Sequence, residues 1–193
     1  MKSLFFLLLV SPLWANPIDP SISSYEVQKK MQVEVYDFSG DFPNLKNIDI
    51  DARRKKRVEF ILTGNYPLLE EITYEGGFGI FQGDLTGNFP NLSRISFLCT
   101  SCCMNFDLTG NWAKSCEINI RGMKENVIIK LPKEEVGIVV HTKTSAGRKV
   151  VVNDLRKKGW GILNKTFVNE LYNEADVTLI LNVETTEGSI ILN

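Results

Sequence analysis

The chain has little of what hydrolytic and metal-dependent enzymes use. Its 193 residues include one histidine, four cysteines, and 22 basic against 23 acidic residues. The single histidine, His141, is too few for a histidine-based zinc centre, and no G-x-S-x-G, H-E-x-x-H or P-loop pattern occurs. Adjacent acids such as Glu70 and Glu71 face opposite sides of a strand and cannot share one acid–base reaction. We predict no catalytic residue, no metal and no cofactor.

Long apolar runs and excess charge are also lacking. The run at residues 4–10 is far shorter than the ~20 apolar residues of a spanning helix. It follows Lys2 and is followed by small residues up to Ala15, which is typical of a secretory signal cleaved after residue 15. We therefore predict an exported chain, periplasmic or extracellular in the cell envelope, with no transmembrane helix after cleavage. The net charge of −1 gives no reason to expect nucleic acid as a partner.

What the chain does have is an internal repeat. The sequence Leu-Thr-Gly-Asn occurs at residues 62–65, 85–88 and 108–111, at intervals of 23 residues. Each repeat carries two stretches that alternate apolar and polar residues, the period of a half-buried strand. The first stretches align Ile48, Ile72, Ile95 and Ile118, and the second align Phe60, Gly83, Phe106 and Ile129. A helical period fits none of these columns.

These columns predict an all-β fold: a short β-solenoid of stacked two-strand repeats of about 23 residues in two layers, as one domain. Residues 16–37 would form a lead-in strand or cap. The units would be residues 38–61, 62–84, 85–107, 108–131, 132–155 and 156–193. Gly64, Gly87 and Gly110 would stand where a positive φ or a tight corner is needed. A leucine-rich repeat is the competing fold, but an asparagine ladder and a helical back are not evident in the sequence.

A family resemblance covers roughly residues 60–192, and its motifs include Asp-Leu-Thr-Gly-Asn-Trp at residues 107–112. It continues with Leu-Pro-Lys-Glu-Glu-Val-Gly-Ile-Val-Val at residues 131–140, Gly-Trp at 159–160, Asn164 and Tyr172, and closes with Gly-Ser-Ile-Ile-Leu at 188–192. This succession resembles the C-terminal domain of LiaF-like cell-wall-active antibiotic response proteins and the related toast-rack domains of putative adhesins. The resemblance implies an envelope location and no catalytic residues. This chain has a predicted cleavable signal in place of a four-helix membrane portion, so inhibition of a sensor kinase is not implied.

The four cysteines leave three interpretations open. Cys99 and Cys102 could form a disulfide across the tip of a repeat, which suits an exported chain. They could remain free thiols that pack as small hydrophobes, or supply half of a zinc site. The repeat register places Cys116 at the opposite end of its strand from Cys99, which argues against four converging thiols. A Cys99–Cys102 disulfide is favoured.

Two segments depart from the repeat and are candidate contact sites. The first is a tip of five consecutive bases, Arg53, Arg54, Lys55, Lys56 and Arg57, which could contact anionic lipid or envelope polysaccharide, or could be a solvated turn. The second is the excursion of residues 156–176, with Trp160, Phe167 and Tyr172. It could cap an end of the stack or bind a partner.

The function predicted from these features is a non-catalytic binding or envelope-response module, adhesin-like, in the bacterial envelope. Its partner could be an envelope protein, anionic lipid or polysaccharide. A purely structural envelope scaffold is the alternative. A polysaccharide-active β-solenoid enzyme comes third, because it would need clustered exposed carboxylates and bases along one face, whereas Asn47, Asp49, Thr73, Ser96 and Asn119 form a mixed set.

Overall fold

The computed structural model describes residue 20, residues 24–28 and residues 33–193. The predicted signal peptide and most of residues 16–32 lie outside this set. Within it the fold is all-β, with no helix, and comprises sixteen strands. They are β1 (Ser24–Gln28), β2 (Val33–Asp37), β3 (Asn47–Ala52), β4 (Arg57–Ile61), β5 (Glu71–Asp84), β6 (Asn88–Phe89), β7 (Arg94–Asp107), β8 (Asn111–Trp112), β9 (Cys116–Gly122), β10 (Val127–Lys130), β11 (Gly137–Thr144), β12 (Val150–Val152), β13 (Arg156–Lys158), β14 (Asn164–Val168), β15 (Thr178–Thr185) and β16 (Ile190–Leu192).

Fourteen of these strands form one large mixed sheet. Its parallel part consists of two stacks, which we call the first stack (β1-β3-β5-β7-β9-β15-β11) and the second stack (β2-β4-β5-β7-β10-β16-β12). The long strands β5 and β7 belong to both, because their first halves pair in the first stack and their second halves in the second. The two stacks are therefore joined by continuous strands.

The pairing register follows the interval of the sequence repeat. Asn47 pairs with Glu71, Glu71 with Arg94 and Arg94 with Glu117, which are offsets of 24, 23 and 23 residues. The same register aligns Ile48, Ile72, Ile95 and Ile118 in one column and Phe60, Gly83 and Phe106 in another. These are the columns expected from the alternating pattern, so equivalent residues of neighbouring repeats lie side by side.

The spatial order of the strands differs from their order in the chain. β15 lies between β9 and β11, and β16 lies between β10 and β12. The last strand pair is thus inserted between the pairs that precede it in sequence. The outer edge at β11 is then covered by β14, which pairs with it antiparallel, and β13 pairs antiparallel with β14.

The core lies between the two stacks and is rich in aromatic rings. Phe97 of the first stack lies 4.9 Å from Phe106 and 5.1 Å from Phe81 of the second, measured between ring centroids. A further column of rings fills the corner that joins successive repeats and consists of Phe42, Tyr66, Phe89 and Trp112. Burial of these rings holds the two stacks and the corner together.

The glycines of the repeat are needed for close approach and not for a positive φ. A Cβ on Gly87 would lie 2.6 Å from the carbonyl oxygen of Gly64, and a Cβ on Gly110 would lie 2.6 Å from that of Gly87. Neither φ is in the left-handed region. Of the two reasons expected from sequence, the tight corner is the one that applies.

The asparagines of Leu-Thr-Gly-Asn form a ladder along this corner. The amide of Asn88 donates to the Asn65 side chain at 2.9 Å, and that of Asn111 donates to Asn88 at 3.0 Å. The expectation that an asparagine ladder is missing was therefore wrong. The ladder is exposed to solvent at Asn65 and Asn111, and the described residues contain no helical back.

We expect Gly83→Phe to lower the urea midpoint of unfolding, because the position is closed on three sides. A Cβ there would lie 2.9 Å from Phe81, 3.2 Å from Phe106 and 3.3 Å from Leu85. Overpacking of this kind costs about 1–3 kcal/mol. The matched control is Gln82→Phe, since the neighbouring Gln82 is exposed. Equal midpoints for the two variants would contradict the packing described here.

Candidate binding face on the first stack

The outward side of the first stack carries a continuous row of polar side chains. Adjacent strands place them next to one another in the order Ser96 (β7), Asn119 (β9), Asn182 (β15), His141 (β11) and Thr166 (β14). With strands about 4.8 Å apart, the row runs for about 19 Å. We call the surface formed by this row and the parallel row described next the binding face.

The second row of the binding face carries charges. It consists of Leu98, Arg121, Glu184, Lys143 and Asn164 on the same five strands. Glu184 stands between two cations, 3.3 Å from the guanidinium of Arg121 and 2.7 Å from the ammonium of Lys143. The two rows border a shallow cavity of about 540 Å³. The face therefore offers hydroxyls, amides and paired charges over an open surface.

Hydrogen bonds fix the amides of the polar row. The Asn182 amide donates to the Asn119 side chain at 2.9 Å and to Glu117 at 3.2 Å, and the Asn119 amide donates to Glu117 at 3.3 Å. Nδ1 of His141 lies 3.1 Å from the Thr166 hydroxyl. These side chains are held in place by one another, which lowers the entropy that they would lose on binding a partner.

The carboxylate of Glu184 is stabilised as an anion. The hydrogen bond from Lys143 holds its pKa below the ordinary value; burial opposes this effect, and the charges of Lys143 and Arg121 add to it. A carboxylate that remains ionised in this way is a poor proton donor at neutral pH.

The sequence pointed to only part of this face. Ser96 and Asn119 were recognised as outward positions, but Asn182, Glu184, His141 and Lys143 belong to strands whose neighbours depend on the insertion of β15. The sequence does contain a signal for the pairing of β15 with β9. The step from Val183 to Ile190 is seven residues, the same as that from Ile120 to Val127, whereas β11 and β12 are joined by a longer tip.

The cysteines lie at two separate places. Cys99 and Cys102 are buried in the middle of β7, between its first and second halves. Their Cα atoms are 5.7 Å apart, and their sulfurs form a disulfide. Cys116 begins β9, whereas Cys99 pairs with Gly122 near the other end of that strand. Burial raises the pKa of the Cys116 thiol to about 12, and burial together with Glu125 raises that of Cys103. In the described part of the chain, no three His, Cys, Asp or Glu side chains are close enough to hold a metal ion.

Ion pairs balance part of the charge of the basic tip at residues 53–57. Lys55 is buried and paired with Glu34. Arg53 pairs with Asp51 and Glu75, and Arg57 pairs with Glu59. Apart from Lys55, the bases of this tip are exposed. Much of the charge expected to attract an anionic surface is thus balanced locally.

The excursion at residues 156–176 separates its three aromatic residues. Trp160 is 98% exposed at the tip of the β13–β14 hairpin, and Phe167 in β14 is buried. The ring of Tyr172 is half-buried and lies 4.8 Å from the ammonium of Lys158. The hairpin covers the edge of β11 through β14, while Trp160 takes no part in that contact.

Among the described residues there is no helix long and apolar enough to cross a membrane.

We expect Lys143→Met to raise the pKa of Glu184 toward its ordinary value, because it removes the donor that stabilises the carboxylate. Carboxyl chemical shifts in an NMR pH titration measure this directly. Since the folded-state pKa is lowered, the contribution of this ion pair to stability is present at neutral pH and lost as the pH falls through that pKa. Lys114→Met, at an exposed position on another surface, serves as the control. An unchanged titration in Lys143→Met would contradict the assignment.

We expect the disulfide to be found in the peptide that contains both Cys99 and Cys102. Reduction should add the mass of a pair of hydrogen atoms to that peptide and leave peptides with Cys116 unchanged. Mass spectrometry after digestion without reductant tests this. A melting temperature that rises with added zinc, together with thiols at Cys99 and Cys102 that react with an alkylating reagent only in the absence of zinc, would instead favour the metal interpretation.

Comparisons with known proteins give one informative match. No protein family model matches the chain, and no curated protein matches it. Among solved structures, the chain is similar to a protein from Clostridium sporogenes described as a putative cell adhesion protein, with a TM-score of 0.57 and 22% sequence identity. The match covers 66% of this chain and 55% of the other, so this chain spans about half the length of that protein. At this identity the likeness concerns the fold.

Proposed function

We propose that this chain is an exported, non-catalytic binding module of the bacterial cell envelope, with an adhesin-like role, and that the binding face of the first stack meets its partner. The observation that carries the proposal is the unbroken polar row from Ser96 to Thr166, built by five strands and fixed by side-chain hydrogen bonds. A rigid, polar, open surface suits a polymer or a protein surface better than an enclosed small molecule.

The fold supports the same proposal. We infer that the stacked repeats form a β-solenoid, on the strength of parallel pairing at offsets of 23 and 24 residues. Solenoids present extended surfaces in which equivalent residues recur at each repeat. The similarity in fold to a protein described as a putative cell adhesion protein agrees with such a use. The resemblance to LiaF-like and toast-rack domains favours an envelope location.

The chemistry of the face supports the proposed non-catalytic role. Among the residues that border its cavity, Glu184 is the carboxylate, and it is held between Arg121 and Lys143. Glycoside hydrolysis generally requires a pair of carboxylic acids, one of them able to donate a proton. Held between two cations, Glu184 does not meet the requirement for a proton-donating acid. The mixture of donors, acceptors and paired charges suits a polysaccharide or a polar protein surface.

We expect the purified protein to bind saturably to cell envelopes isolated from the organism that makes it, and to do so through the binding face. The variant Asn119→Ala/His141→Ala/Asn182→Ala should bind at least about tenfold more weakly, since each polar contact contributes about 1 kcal/mol. Co-sedimentation isotherms give the affinities.

The matched control replaces three outward residues of the second stack, as Glu59→Ala/Gln82→Ala/Asn105→Ala. Its affinity should equal that of the wild type. Equal affinity of both triple variants would reject the face as the binding site. Release of soluble reducing sugars from the envelopes over time would reject a non-catalytic role.

A further inference from the structure

The β13–β14 hairpin ends in an apolar tip that the fold leaves in solvent. Trp160 is 98% exposed, Ile162 is 83% exposed and Leu163 is 50% exposed. Hydrophobic side chains that protrude together in this way commonly mark an interaction site. Covering β11 requires only the backbone and inward residues of β14, so the tip is not explained by capping.

Basic residues surround this tip. Arg156, Lys157, Lys158 and Lys165 flank it, and no acidic residue occurs from position 155 to position 169. The backbone of Thr144 donates to the carbonyl of Leu163 at 3.4 Å, so the β11–β12 tip lies alongside. That tip adds two more exposed bases, Arg148 and Lys149.

The lysines of the hairpin also shape the tip. The ammonium of Lys157 donates to the carbonyl of Gly161 at 3.1 Å, and that of Lys158 lies over the Tyr172 ring. These contacts hold the turn in a form that projects Trp160. The charges nearest to the tip are thus on the same element as its apolar residues.

We propose that the β13–β14 hairpin is a membrane-docking element: Trp160, Ile162 and Leu163 insert into the interfacial region of a bilayer, and the surrounding bases contact anionic lipid head groups. Tryptophan favours the boundary between head groups and acyl chains. Juxtaposed lysines and arginines are attracted to anionic lipid. The absence of acids among residues 155–169 provides the charge complementarity that favours a lipid surface over another protein.

This assignment differs from the one expected from sequence. The bases at residues 53–57 were the candidate for anionic lipid, but three of them are paired with carboxylates. The tip at residues 53–57 and the β11–β12 tip lie at the same end of the strands of the first stack, five strand spacings apart, or about 24 Å. The β13–β14 hairpin lies one strand farther away. Exposed acids occur on the tips between them, at Glu125 and Glu187. A lipid surface can therefore contact the hairpin end without the other tip.

Quenching of Trp160 fluorescence by bromolipids tests the proposal. Trp14→Phe/Trp112→Phe leaves Trp160 as the sole tryptophan, and phenylalanine is the natural residue at position 89, which pairs with position 112. Vesicles with about 30% phosphatidylglycerol supply the anionic surface, and pure phosphatidylcholine vesicles are the reference. We expect quenching on the anionic vesicles that weakens as salt is raised to about 0.5 M.

Variants then separate the hairpin from other surfaces. Ile162→Ser/Leu163→Ser should weaken partition at least about tenfold, because it removes inserted apolar area. Arg148→Glu/Lys149→Glu should do the same by charge reversal without altering the contacts of the hairpin itself. Arg54→Glu/Lys56→Glu reverses the same number of charges at the distant tip and should leave partition unchanged.

Several outcomes would overturn the proposal. The first is that Trp160 fluorescence is not quenched on anionic vesicles, and the second is that quenching is equal in all variants. The third is that Arg54→Glu/Lys56→Glu weakens partition as much as Arg148→Glu/Lys149→Glu does. A monomer–dimer equilibrium that Trp160→Ser abolishes, with no lipid effect, would identify a second copy of the chain as the occupant. The proposal is tested separately from the binding face, although both use β14, because the alanine variants of that face replace no residue of the hairpin.

Discussion

Parallel backbone pairing at a fixed offset is the constraint on which the other features of this structure depend. Paired residues of β3, β5, β7 and β9 lie next to counterparts 23 or 24 positions away. Similar side chains therefore stack in columns with a spacing of about 4.8 Å, although Gly83 stands between Phe60 and Phe106. The columns of isoleucine, the rings at the corner and the asparagine ladder all follow from this pairing.

The same pairing limits what the corner can contain. Successive turns approach so closely that the carbonyl oxygen of Gly64 occupies space near a Cβ at Gly87, and the arrangement recurs at Gly110. Glycine recurs at these positions because space is lacking, whereas the conformation itself is open to other residues. The adjacent asparagines hydrogen-bond along the stack and satisfy side-chain groups that would otherwise compete with the backbone.

The columns could be predicted from the sequence because they depend on a local period of two and on exact repetition of the interval. The positions of the last strands could not. β9, β11 and β15 have similar alternating patterns, so their possible pairings are nearly equivalent by sequence, and β15 pairs with β9 across 63 residues. The sequence accordingly predicts Ser96 and Asn119 as outward positions, but it does not predict that Asn182 and His141 lie beside them.

The net local charge around each group of bases was the other property that the sequence did not predict. Five successive bases at residues 53–57 suggested an attractive surface, but three of them are paired with carboxylates from β2, β3, β4 and β5. The bases around the β13–β14 hairpin are fewer per residue, yet three of them, Arg156, Lys157 and Lys158, lie on β13, which is the last strand of the sheet among the described strands. Their field is directed outward together with the apolar tip.

The β13–β14 hairpin therefore combines two separate features, a strand that covers β11 and an apolar turn. An open parallel edge at β11 would invite pairing with other chains, and the antiparallel strand β14 removes that edge. A short polar turn between β13 and β14 would have been sufficient for this purpose. The presence of Trp160, Ile162 and Leu163 in that turn adds exposed apolar area that raises the risk of aggregation and contributes nothing to the core. Such a cost is best explained by an interaction at this end of the molecule, and the surrounding bases favour a lipid surface for it.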